Sequence, residues 1–206
     1  MRKEDKTELT KERIMQAAME EFGLRGYAAA SINNICETGI AKGLIYHNFK
    51  NKDELYISCV KRSFLSLLTY LKEQNVEFGM QDYMHARLLF FGQNPLETRL
   101  FFEAIIQPPA HLMSEIKELK REFDLYNQEM YQNLFTHITL RTGVTKEGVL
   151  EYFAMMQDMF NGYFSSQVYR DIPILDLVDK HEELLSRLLE YMLFGVAERG
   201  NELLQK

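Results

Sequence analysis

The sequence predicts an all-α chain, with a three-helix head at the N-terminus and a larger helical body, about nine helices in all. Three observations carry this. Apolar residues return at spacings of three and four along most of the chain, as in Tyr56, Val60, Phe64, Leu67 and Leu71. No stretch reads as a strand of alternating apolar and polar residues. Caps, prolines and glycines fall at helical intervals, most clearly in Asn94-Pro95-Leu96-Glu97, where a cap, a first-turn proline and an acid three residues past the cap follow one another.

Helix one is expected from Thr10, a possible cap, to Leu24, with Ile14, Ala18 and Phe22 inside and Gly26 ending it. The charged segment before Thr10 is expected to be a disordered arm. Ser31 can cap a second helix, because its hydroxyl oxygen can accept from a free N–H of the first turn. Ile32, Ile35 and Cys36 share one face of it. Gly39 then allows a sharp turn into a third short helix, the layout of a helix-turn-helix whose second helix enters the major groove. Asn51 and Glu54 resemble a capping box opening helix four.

The charge distribution fits that motif. The whole chain carries a net charge of −6, but residues 1–55 hold nine Lys/Arg against nine Asp/Glu, and the other 15 against 21 account for the deficit. From Ile40 to Lys52 there are Lys42, His47, Lys50 and Lys52 and no acid. Lys42 and Lys52 fall in first turns, where the helix dipole disfavours a cation unless an anion docks there. Local potential, more than net charge, steers a polyanion.

The segment Ser31–Leu55 resembles the signature of the TetR family of transcriptional regulators, T-x-x-x-I-A-x-x-A-G-V-S-K-G-x-x-Y-x-Y-F-x-x-K-x-x-L. The matching positions are Ser31, Ile35, Gly39, Lys42, Gly43, Tyr46, Phe49, Lys52 and Leu55, in about the first quarter of the chain, with one residue fewer than the signature between Ile35 and Gly39. The departures are Ala41, where a capping Ser or Thr is usual, and Asn48, where an aromatic is common. Losing the cap costs roughly 1 kcal/mol. On this reading Lys42, Gly43, Leu44 and Tyr46 face the groove, while Ser31, Tyr46, His47 and Lys52 bind phosphates. The expected partner is double-stranded DNA with a palindromic operator. The resemblance implies a repressor released by a small, often hydrophobic inducer. The alternatives are an activator without an inducer, or an interaction protein whose helix-turn-helix no longer binds DNA.

Residues 1–53 are expected to form the DNA-binding domain and 54–206 the ligand-binding and dimerisation domain. Helix four runs from the head into the body, and Gln74–Gly79 breaks the pattern. Asp82–Phe91 is a short helix closed by Gly92, and the helix begun at Pro95 ends at Pro108-Pro109. A long helix with a stripe from Leu112 to Ile138 follows and is stopped by Gly143. Thr145 opens the penultimate helix, and Pro173 separates it from the last. Large adaptable side chains suggest an apolar pocket lined by Phe64, Phe101, Phe123, Met130, Met156 and Phe160. His85, Glu103, Gln107, His111 and Tyr126 are its candidate polar anchors. Phe78, Phe90, Phe91, Phe102, Met155 and Met159 belong to the same apolar set.

The apolar stripes of the last two helices are broader than the roughly 100° that a one-sided helix needs. Gly162 and Gly195 lie within them. A homodimer through a four-helix bundle is expected, using Met156, Phe160, Tyr163, Leu185, Leu188, Met192 and Val196.

No enzymatic role, cofactor or metal is expected. The five histidines are scattered, and His181-Glu182 fails as a zinc-protease motif because position 185 is Leu. Cys36 and Cys59 read as free thiols of a cytoplasmic protein. No apolar run is long enough to span a bilayer.

Overall fold

The computed structural model describes residues 3–74, 79–169 and 171–196. These form nine α-helices and two 3₁₀ turns, with no strand among the described residues. The helices are α1 (Lys3–Ala29), α2 (Ile32–Glu37), α3 (Lys42–Asn48), α4 (Lys52–Glu73) and α5 (Met80–Gln93), then α6 (Pro95–Ile106), α7 (Met113–Leu134), α8 (Lys146–Phe164) and α9 (Ile174–Val196). The 3₁₀ turns are Ala110–Leu112 and Gln167–Tyr169. None of the described helices is long and apolar enough to cross a membrane.

The chain divides into two compact units. One contains residues 1–66 and 94–119, the other residues 67–93 and 120–206. In the first, α1 packs along α6. The approach is so close that a Cβ on Gly23 would sit 2.7 Å from Leu96 Cδ2. Ile14, Phe22, Ile35, Ile45, Phe49, Leu55 and Tyr56 fill the core of this unit, and the Phe64 and Phe101 rings meet at 5.0 Å.

α1 departs from expectation at its start. The charged arm is helical from Lys3, because its Lys, Glu and Leu residues are good helix formers that outweigh a stop at Thr10. Arg62 of α4 donates to the two carboxylate oxygens of Glu12, within α1, at 2.7 and 2.5 Å. Gly26 ends the first helical run as expected, because its backbone is non-helical. Its φ of 74° is left-handed, and the helix resumes to Ala29.

The body needs three corrections. α5 runs through Gly92 to Gln93, so that glycine closes nothing. Asn94 stands at the cap of α6 but makes no side-chain cap bond. α7 ends at Leu134, and Phe135 and Ile138 are buried from the loop that follows it. Thr145 caps α8 as expected, accepting the Gly148 N–H at 3.1 Å.

In the second unit α9 packs on α5 and α8. Its interior holds a polar network. Arg87 donates to both oxygens of Glu182 at 2.7 Å and to the Tyr83 hydroxyl at 3.3 Å. Tyr83 in turn donates to Asn127 at 2.7 Å, and His181 joins Glu182 (3.1 Å) to Asn161 (3.3 Å).

Candidate nucleic-acid interface

The turn between α2 and α3 is built from α1 outward. Glu21 accepts the Ser31 N–H at 3.0 Å and the Asn34 amide at 2.7 Å. Ser31 is extended and its Oγ accepts the Asn34 N–H at 3.1 Å, which caps α2. Gly39 has a φ of 87°. Ala41 begins α3 without a side-chain bond.

Ile40, Ile45 and Phe49 point inward, Ile45 being 1% exposed. That orientation turns Lys42, Gly43, Leu44, Tyr46 and His47 outward. Leu44 is 38% and Tyr46 49% exposed, so Tyr46 is a surface aromatic and not a core partner of Phe49. Lys42 Nζ donates to Asn33 Oδ1 at 3.0 Å, and Asn48 donates to the Leu44 carbonyl at 2.8 Å. Lys52 is half-buried, with its ammonium 4.4 Å above the Tyr27 ring. At the start of α4 the capping box is displaced by one residue: Asn51 accepts the Glu54 N–H at 2.9 Å, while Glu54 reaches the Lys50 N–H at 2.6 Å.

The expected pocket residues are divided between the two units. Phe64, Phe101, Glu103, Gln107 and His111 belong to the first unit; His85, Phe123, Tyr126, Met130, Met156 and Phe160 belong to the second. Two anchors are already engaged at the base of the head, Glu103 with Tyr27 and Tyr56, and His111 with Tyr27 and Asp53. His85 is exposed on α5 and faces no interior. Phe123 and Met130 are buried, while Tyr126, Met156 and Phe160 are half-buried.

The buried polar groups of the second unit are others: Arg87, Asn127, His181 and Glu182. Arg87 had a visible signal, a cation at core spacing from Tyr83 and Phe91. Its guanidinium lies 5.2–5.8 Å from the rings of Tyr83, Phe91 and Phe123. Burial opposes the charge on Glu182, but Arg87 and His181 outweigh it and lower that carboxyl below its usual range.

The apolar faces of α8 and α9 also shift from expectation. Leu185 and Met192 are buried within the chain and cannot lend surface to a partner. Leu188 is half-buried and Tyr163 is exposed; the side chain of Val196, like Phe78, lies outside the described residues. The exposed apolar stripes are Tyr152, Met155, Met159 and Tyr163 on α8, and Tyr191 and Phe194 on α9. Cys36 is half-buried and Cys59 buried, the latter pushed up to about 12 by burial.

Residues 14–59 match the family model described as bacterial regulatory proteins, tetR family. The HTH-type transcriptional regulator UidR of Escherichia coli K12 is 28% identical over 116 residues, which cover 53% of this chain and 59% of UidR. The HTH-type transcriptional repressor KstR2 of Mycolicibacterium smegmatis is 32% identical over 121 residues, 56% of this chain and 52% of KstR2. The chain thus spans little more than half the length of these curated relatives. The crystal structure of the transcriptional regulator FadR from Bacillus subtilis, in complex with stearoyl-CoA, superposes with a TM-score of 0.56 at 19% identity, covering 85% of this chain and 97% of that one.

Proposed function

We propose that this chain, whose head is a TetR-family N-terminal domain, is a homodimeric DNA-binding transcriptional regulator that represses and is released by a small, largely hydrophobic effector. The observation that carries the reading is the outer face of α3. It presents Lys42, Gly43, Leu44, Tyr46 and His47 together, in a segment with no acid between Ile40 and Lys52. Gly43 supports it independently. A Cβ there would meet nothing within 4 Å, so packing inside the chain does not require glycine. Its helix-propensity cost of about 1 kcal/mol finds a reason in the close approach of a DNA backbone.

In this reading residues 1–53 bind DNA and residues 54–206 bind effector and partner. Leu44 reads a thymine methyl beside Lys42 and Gly43. Ser31, Tyr46, His47 and Lys52 hold phosphates and set the register. Ser31 uses an oxygen lone pair for its cap, which leaves its proton to donate. The unpartnered apolar stripes of α8 and α9 pair with those of a second copy, and the two heads then read a palindromic operator. KstR2 is named a repressor and the Bacillus FadR structure holds stearoyl-CoA, which supports a repressor with an apolar effector here. α4 runs unbroken from Lys52 to Glu73, so a tilt imposed on its far end would change the separation of the two α3 helices. Moving the equilibrium from nearly all bound to nearly all free needs an effector preference of about 5.5 kcal/mol for the released state.

The test is a salt-titrated mobility shift with a random-sequence duplex pool, followed by selection of the bound fraction and addition of fatty acyl and other apolar compounds. Retardation that weakens steeply with salt, enrichment of an inverted repeat and release by one compound class are expected. A protein that leaves every duplex free at low salt refutes the reading.

A further inference from the structure

Both ends of the helix-turn-helix are held by one side chain from outside it. Tyr27 lies just past the Gly26 kink and four residues before Ser31; Asp53 and Tyr56 lie in the opening turns of α4, just after α3. Glu103, from α6, accepts the Tyr27 N–H at 3.0 and 3.2 Å on its two oxygens and the Tyr56 hydroxyl at 3.0 Å. Tyr27 ties the same two ends a second time, because its hydroxyl donates to Asp53 at 2.5 Å. His111, on the 3₁₀ turn after α6, has Nε2 3.1 Å from that hydroxyl and 3.5 Å from the Asp53 carboxylate. The rings of Tyr27 and Tyr56 meet edge-on at 4.9 Å.

We propose that Glu103, assisted by His111, is the positioning residue of the reading head, fixing the angle at which α3 is presented. The proposal rests on the DNA-binding reading above. Burial raises the Glu103 carboxyl above its usual range, although the Tyr27 N–H, the Tyr56 hydroxyl, Arg99 and Lys52 all act against that rise. The carboxyl group itself makes the joint: both oxygens accept the Tyr27 N–H of α1, and Oε2 also accepts the Tyr56 hydroxyl of α4. A Cβ on Gly26 would stand 2.7 Å from Glu103 Oε1, so the backbone has also been cleared for this carboxylate. Neither Glu103 nor His111 lies in the α2–α3 segment, so any effect they have on DNA reading passes through geometry.

The test compares wild type with Glu103→Ala, Glu103→Gln and Tyr56→Phe in the full-length chain by two readouts. Amide hydrogen exchange is measured at Tyr27 and across residues 31–49 without DNA. Affinity is measured for a duplex selected from a random pool and for a random-sequence duplex of equal length. Glu103→Ala is expected to speed exchange across the segment by about tenfold. It should weaken the selected duplex by about tenfold while leaving the random duplex within about twofold, because phosphate contacts tolerate a misaligned head better than base contacts do. Glu103→Gln, which keeps one acceptor, should recover part of both losses. If Glu103→Ala does not fold, Tyr56→Phe removes a single hydroxyl and is expected to give smaller changes of the same kind. Unchanged exchange, or an equal loss on both duplexes, overturns the proposal. If wild type binds no duplex the DNA reading falls by itself, and the exchange measurement still decides whether Glu103 fixes the segment.

Discussion

Arg87 and Glu182 face each other through two parallel bonds of 2.7 Å, with 4% and 0% of their side chains exposed. The pair joins α5 to α9, and His181 extends it toward Asn161 of α8. Removing one partner strands a buried charge, whereas removing both leaves no unpaired charge behind. Arg87→Met alone should destabilise the protein by about 3–5 kcal/mol, and Arg87→Met with Glu182→Leu should recover most of that loss. Urea unfolding monitored at equilibrium checks both values.

The same pair sets a pH dependence. The Glu182 carboxyl has an ordinary value of 4.5 and is lowered in the folded chain. Its contribution to stability is therefore complete above 4.5 and lost as pH falls through the lower folded value. Asp53 acts with the same sign, since the Tyr27 hydroxyl bond, against burial, keeps its carboxyl below the usual range. Glu103 is raised and acts with the opposite sign, its cost easing as pH falls. Acid unfolding followed by circular dichroism should shift to lower pH in the Arg87→Met, Glu182→Leu double variant, which has no buried carboxylate left to protonate at that site.

Gly26 offers a backbone test. Its φ of 74° disfavours any L side chain, and a methyl would press on Glu103. Gly26→Ala should cost about 1–3 kcal/mol. Gly43→Ala, in open space on α3, should cost no stability and should instead weaken DNA binding. Thermal melts of the two variants should separate them cleanly.

Helix periodicity exposed most of the fold because each helix buries one face, and Thr145, Pro95 and Pro173 mark their starts without tertiary help. What it could not supply was set by partners distant in sequence. Arg62 reaches Glu12 across 50 positions and ties α4 to α1. Gly26 was legible as a break in the helix, but the Glu103 contact beside it, 76 positions from Tyr27, was not. The α3 face was legible down to single residues, since a short helix with one buried isoleucine has only one way to turn. The body's polar interior was not. Arg87 showed only its core spacing from Tyr83 and Phe91, and nothing local pairs it with Glu182, 95 positions away.

In the head, Lys52→Ala should weaken binding to every duplex about equally and reduce the salt slope by roughly one. Its ammonium also sits over Tyr27, so a small loss of stability should accompany it. Leu44→Ala should change preference among operators, an outcome visible as altered enrichment at one base pair in a repeated selection.

The last expectation concerns assembly. Met155, Met159 and Tyr163 recur on one face of α8 and are 54%, 61% and 54% exposed, while Tyr191 and Phe194 do the same on α9. Large apolar side chains gathered in this way mark a surface meant to be covered. In the dimer proposed above a second copy covers it with matched chemistry, each stripe meeting its own image across a two-fold axis. A charge at the middle of such a face meets its like in the partner and must also be desolvated. Met159→Glu should therefore convert a dimer to a monomer in sedimentation at micromolar concentration, with helicity unchanged because the side chain is exposed within the protomer. Operator affinity should fall far more than affinity for random duplex, since only a dimer can engage both half-sites at once.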